Sequence, residues 1–200
     1  PEHAPIIAEA MQGIADGAAT RSKARKATHQ LEHLRDSIDH CNALMAYPGL
    51  ARHGFDPATL RAELEAVRTE TVEQAIRDHW FAARERAKDA ATHKGMVGPY
   101  AKAIANLQGL VDLLDDTSLI DKAVIVMRAE RDALVFEDFY RLAQLAEQTG
   151  RKNKARDLYI EAVFWLRKDG TPDAYQEEKI ALAEAQIERL GGRPKPKATA

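Results

Sequence analysis

The chain of 200 residues, 45% hydrophobic and 30% charged, is long enough for a sizeable core and too apolar for a disordered segment. Its net charge of −2 leaves no overall footprint for nucleic acid or an anionic membrane surface, and no run approaches the ~18 consecutive apolar residues of a spanning helix. Aromatic residues are only 6%, while Ala, Leu, Glu, Arg and Lys abound, which favours helix packing over a sheet core.

The pattern opens with a short helix expected over Pro5 to Gly17. It carries Ile6, Ile7, Ala10, Met11 and Ile14 on one side and is weakened by Gly13 and Gly17. A long helix follows from Thr20 to Ala46. Leu31, Leu34, Ile38, Cys41 and Met45 recur at three and four residues, the apolar stripe of a helix pair. Tyr47-Pro48-Gly49 stops it. Asp56-Pro57 starts the next helix, with Asp as N-cap and Pro at the first helical position. That helix is expected to reach Thr92. Leu60, Leu64, Val67 and Thr71 form one stripe, and Val72, Ile76, Trp80 and Ala83 continue on a shifted phase. The two long helices are expected to pair antiparallel.

The segment from His93 to Pro99 reads as the clearest break, with Pro99 opening a helix that buries Ile104, Leu107, Val111 and Leu114. Asp115 to Ser118 is a turn, and Ser118 with Asp121 imitates a capping box. A shorter helix then carries Ile120, Ala123, Val124 and Met127 up to the charged stretch Arg128 to Asp132.

Phe136 to Asp173 reads as two antiparallel helices joined at Thr149-Gly150-Arg151. Phe139, Leu142, Ala143 and Ala146 share one face, as do Ala155, Tyr159, Ala162 and Val163. The small residues allow close approach, and the aromatics fill the space around it. Phe139, Leu142, Ala143, Ala155 and Tyr159 together resemble one tetratricopeptide repeat, a helical hairpin. Ala146 departs from the family's Tyr, and the closing Pro172 comes late. The resemblance covers about one repeat, residues 136–172. It implies a protein-binding module, with Tyr140, Gln144, Arg151 and Arg156 as the first expected contacts. A last helix carries Ile180, Ala183, Ile187 and Leu190 and is expected to cap the open end of the hairpin. Gly191-Gly192 ends it, before a basic, flexible tail from Arg193 to Ala200.

The expected fold is therefore all-α: a multi-helix bundle of antiparallel helices with a tetratricopeptide-like hairpin toward the C-terminus. Its expected organisation is a long-helix hairpin region over 1–94, a multi-helix region over 95–192 and a tail over 193–200.

One chemical constellation stands out. His29, His33, Asp36 and His40 are spaced four, three and four residues apart, so they share a strip of one helical face. Such a strip suits Zn²⁺ or another transition ion if further ligands join it, His79 among the candidates. It also suits a pH-responsive interface, and its plainer reading is a solvated polar face. Cys41 lies on the apolar stripe and reads as core, with no base placed to activate it. Being the only cysteine, it makes no internal disulfide. With no signal-peptide pattern, a reducing cytoplasm is the expected location. Small basic patches at Arg21 to Lys26, Arg151 to Arg156 and Arg193 to Lys197 lack an accompanying recognition helix or stacking aromatics. In Trp80-Phe81 and Phe164-Trp165, one member of each pair must lie off the buried face.

No cofactor and no catalytic machinery is expected. The leading expectation is a non-enzymatic interaction or scaffold module that binds a protein partner or itself as an oligomer. A nucleic-acid-associated accessory protein, of replication or phage-packaging type, is the first alternative. A metal-dependent helical enzyme using the His strip is the second. No membrane association is expected.

Overall fold

The computed structural model describes residues 4–21, 26–47, 50, 55–168 and 174–192. Over these it is an all-α multi-helix bundle without strands. The helices are α1 (Ala4–Arg21), α2 (Ala27–Met45), α3 (Pro57–Lys88), α4 (His93–Gln108), α5 (Ser118–Gln148), α6 (Lys152–Arg167) and α7 (Ala174–Arg189), with a 3-10 turn at Val111–Leu113. None is long and apolar enough to cross a membrane. Pro48 and Gly49, the basic residues Lys23 and Arg25, the stretch 169–173 that holds Pro172, and the tail from Arg193 lie outside the described residues.

The chain forms two compact units that interleave along the sequence. One comprises Pro1–His79 with Asn106–Asp121, and the other Trp80–Ala105 with Lys122–Ala200. The sequence suggests a single cut after Lys94. Instead α3, α4 and α5 each contribute residues to both units.

In the first unit, α1 lies on α2. The two glycines expected to weaken α1 are its contact surface. A Cβ on Gly13 would fall 2.4 Å from His40 Nε2, and one on Gly17 would fall 2.4 Å from Ser37 Oγ. Hydrogen in place of a side chain is what lets the helices approach, so α1 runs on to Arg21. Its inner side is Ile7, Ala10, Gly13 and Ile14, while Ile6 and Met11 are exposed. Ala10, Leu44 and Leu50 form a small core with Ile7, Ile14, Tyr47 and Phe55 packed against it. Leu31, Leu34, Ile38 and Cys41 are buried as their spacing predicts, but Leu44 replaces Met45 as the last inward position. Asp56 caps α3, accepting from the Ala58 amide at 3.1 Å and the Thr59 hydroxyl at 2.6 Å. Within the same unit, Arg68 of α3 bridges Glu65 (2.6 Å) and Asp115 (3.0 Å).

The expected breaks at 93–99 and 128–132 are both absent. Thr92 caps α4, its hydroxyl accepting from the Gly95 amide at 3.2 Å, so Pro99 lies inside the helix. Pro99 lacks the amide that would reach the Gly95 carbonyl, and it crowds that carbonyl and the preceding residue. Gly98 offers no Cβ to the Pro99 ring, whereas Gly95 serves the start of the helix, where a Cβ would fall 3.0 Å from the Ala90 Cβ. Helix α5 runs unbroken from Ser118 to Gln148. Its charged stretch holds no Gly or Pro, and Asp132, which is buried, takes a two-pronged bond from Arg131 at 2.7 and 2.9 Å. The start of α5 is capped by Asp116, which accepts from the Ser118 amide (2.9 Å), and the Thr117 hydroxyl donates to Asp121 (2.8 Å). Ser118 itself is the first helical residue rather than the cap.

In the second unit, α5, α6 and α7 share a core of Phe136, Ala143, Tyr159, Ala162, Val163, Leu166, Ala183 and Ile187. The α5–α6 turn closes by paired bonds, Gly150 N to Glu147 O (2.8 Å) and Arg151 N to Ala146 O (2.9 Å), with Gly150 at φ +74°. The end of α7 repeats this closure at Gly191 (φ +78°) and Gly192. Glu137 receives the Lys179 ammonium at 2.9 Å, and ten residues along α5 Glu147 pairs with Arg189. Helix α7 therefore runs parallel to α5, with α6 antiparallel to both.

Candidate functional site

The parallel pairing of α5 with α7 leaves a cleft of about 350 Å³. Tyr140, Gln144, Glu147 and Gln148 of α5 line one side, Gln186 and Arg189 of α7 the other, and Tyr159 of α6 the floor. Spacings of four, three and one residue put the α5 residues on one helical face.

The floor is built outward from Tyr159, which is 1% exposed. Its hydroxyl donates to Glu147 Oε1 at 2.8 Å, and the edge of its ring meets the Tyr140 ring with centroids 5.1 Å apart. Tyr140 stacks in turn on Phe136 at 5.5 Å. The other oxygen of Glu147 accepts from Arg189 Nη2, while Arg189 Nε donates to Gln186 Oε1 at 2.8 Å. The hydrogen bond from Arg189 holds the Glu147 carboxyl below its usual range, helped by the Tyr159 hydroxyl and opposed by burial. Burial, together with the Glu147 carboxylate, pushes the Tyr159 phenol up. Glu147 is thus a fixed carboxylate at the base of a polar cleft, and the exposed Gln144 and Gln148 amides stand beside it.

Of the contacts expected from sequence, Tyr140 and Gln144 enter this cleft, whereas Arg151 and Arg156 do not line it. Arg151 is exposed at the hairpin turn as the N-cap of α6. Arg156 is half-buried, 3.7 Å from Asp157, with its stem against the α7 terminus, where a Cβ on Gly192 would meet its Cδ at 2.9 Å. Glu147 and Gln148 were within reach of sequence reasoning, because they continue the Tyr140–Gln144 face. Gln186 and Arg189 were not, because their place depends on how α7 docks.

A second hollow of about 410 Å³ lies in the same unit, lined by Trp80, Arg84, Val126, Ala129, Glu130, Leu166 and Tyr175 among others. Glu130 gathers donors there: the Trp80 indole N–H, Arg84 Nε at 2.6 Å and the Tyr100 hydroxyl. Burial and the Glu130 charge push the Tyr100 phenol up to about 12. Trp80 and Trp165 are part-buried, and Phe81 (67%) and Phe164 (57%) are the exposed members of their pairs.

The histidine strip is not gathered into a site. His29 and Asp36 are exposed, His33 is part-covered, and His40 lies against Gly13 of α1. Among the described residues no three His, Cys, Asp or Glu side chains are placed to hold a metal ion. Cys41 is fully buried, and burial pushes its thiol up, away from a reactive thiolate, with the charge of Arg61 opposing.

No protein-family profile matches the chain, and no curated protein or solved structure is significantly similar to it.

Proposed function

We propose that the chain is a non-enzymatic interaction module, and that the α5–α7 cleft is where it receives a protein partner. The observation that carries this is the parallel placement of α7 on the α5–α6 hairpin. A tetratricopeptide repeat stacked on the first helix of its neighbour has this arrangement, and such stacks bind partners on the face shared by successive first helices. Tyr140, Gln144 and Glu147 stand on that face. They are the types such a cleft needs: a rigid aromatic, an amide able to pair with a peptide backbone, and a fixed charge. The partner is a different protein or a second copy of this chain, acting in a cytoplasmic scaffold or adaptor.

The test is photo-crosslinking from position 144 in the native extract, with and without Tyr140→Ala. A discrete crosslinked product that Tyr140→Ala removes supports the reading. A protein that stays monomeric and gives no crosslink from position 144 overturns it.

A further inference from the structure

The cleft already contains a cation of its own. Arg189 sits in the last turn of α7, two residues before the left-handed Gly191, and its side chain is 55% exposed. Glu147, its partner, is 21% exposed and is anchored from below by a phenol that is itself buried. The two halves of this ion pair are therefore unequal. The carboxylate is held in place with or without Arg189, because Tyr159 fixes it from a core position. The guanidinium reaches it from an exposed side chain and, among the described residues, is tied besides only to Gln186. Displacing Arg189 returns a long side chain to water at little cost, whereas displacing Glu147 breaks into the core.

The aromatic wall completes the picture. Tyr140 is part-buried between Phe136 and Tyr159, so its ring is rigid and borders the space in front of Glu147. A planar guanidinium uses such a wall for stacking and a carboxylate for hydrogen bonds. The exposed amides of Gln144 and Gln148 offer carbonyl oxygens for its remaining N–H groups. An incoming carboxylate finds the reverse. Among the described residues the cleft's only cation, Arg189, is already paired, and Glu147 repels a second anion.

We propose that the cleft takes an arginine side chain from a partner protein, with Glu147 as its acceptor, and that Arg189 is a built-in occupant which the incoming arginine displaces. This rests on the cleft being the partner site. It adds the chemistry recognised and a regulatory contact: α7 keeps the site closed to weak cations, and a partner must outcompete it.

The test titrates the full chain with N-acetyl-arginine methylamide, using the glutamate analogue as control, and follows backbone amide shifts of residues 140–148. Arg189→Ala should strengthen binding of the arginine probe, by up to about fivefold for the loss of a solvent-screened competitor. Glu147→Gln preserves shape and an acceptor for Tyr159, and should weaken binding about tenfold in either background. Weaker binding by Arg189→Ala, indifference to Glu147→Gln, or preference for the glutamate probe each overturns the proposal. A crosslink from position 144 that survives Glu147→Gln but not Tyr140→Ala would do so too, while leaving the cleft as the partner site. Helical circular dichroism of each variant separates lost binding from lost fold.

Discussion

Replacing Gly17 by Ala tests whether the α1–α2 approach is set by missing side chains. Alanine in place of glycine inside a helix is favoured by about 1 kcal/mol when nothing opposes it. Here the new Cβ would lie 2.4 Å from Ser37 Oγ. Ser37 is 1% exposed and its hydroxyl donates to the His33 carbonyl at 2.8 Å, so it has little room to turn away. Overpacking of this kind costs about 1–3 kcal/mol. Gly17→Ala alone should therefore be neutral to destabilising by about 2 kcal/mol. Ser37→Ala removes the clashing atom. The nearest neighbours of the new Cβ are then the His33 carbonyl oxygen at 3.6 Å and the residue 37 Cβ at 3.8 Å, both ordinary contacts. In that background Gly17→Ala should stabilise by about 1 kcal/mol. Urea denaturation followed by helical circular dichroism, on both single variants and the double variant, gives the coupling between the two sites. The expected coupling is about 1–3 kcal/mol in favour of the double variant. If the two substitutions are additive within about 0.5 kcal/mol, the close approach of α1 to α2 is not limited by these atoms and the reasoning fails.

Three further outcomes are expected. Gly150→Ala puts a side chain at φ +74° and should cost about 1–2 kcal/mol in urea denaturation, with the hairpin closure affected first. Asp132→Ala leaves Arg131, only 15% exposed, beside an empty position, and should destabilise by about 3 kcal/mol or more, while a surface variant such as Glu73→Ala stays within about 0.5 kcal/mol. Tyr100, 2% exposed, keeps its proton to about pH 12 when folded. Its contribution, about 3 kcal/mol at 1.36 kcal/mol per unit, is present below the ordinary tyrosine value and is lost as pH rises through the folded one. The alkaline denaturation midpoint should therefore move to higher pH in Tyr100→Phe, and an unchanged midpoint would show that this phenol does not set it.

Local chemistry was legible in the sequence wherever one residue decides it. Asp56-Pro57 starts α3, Gly150 turns the hairpin and Gly191 ends α7, because caps and left-handed glycines act over a few residues. The stripe of α2 was legible for the same reason. What failed was the meaning of charge and of glycine at a distance. Arg128 to Asp132 read as a gap between helices, yet Arg128, Ala129, Glu130 and Arg131 are strong helix formers and the buried Asp132 is neutralised by its neighbour Arg131. Gly13 and Gly17 read as weak points because their partners, His40 and Ser37, lie on another helix. Pro99 read as a start because proline ordinarily opens or ends a helix, whereas here the preceding Gly98 has no Cβ to meet its ring.

The candidate site divides in the same way. Tyr140 and Gln144 lie on one face and were readable from spacing alone. Arg151 and Arg156 were grouped with them because charge at a turn looks available, but Arg151 is exposed at the turn outside the cleft and Arg156 lies along the α7 terminus. Arg189 joins Glu147 across 42 residues of sequence, and only the docking of α7 brings them together. Tyr159, expected only as filler in the hairpin, also orients the carboxylate of the cleft.

The central claim is that the face shared by α5 and α7 receives a protein. It is tested most directly by quantitative mass spectrometry of what co-purifies from native extract with the untagged chain and with its Tyr140→Ala, Gln144→Ala variant. The account predicts a stoichiometric protein, or a defined homo-oligomer, that the variant loses while its helical content is unchanged. Recovery of the same set by both forms, or of nucleic acid in place of any protein, would contradict it.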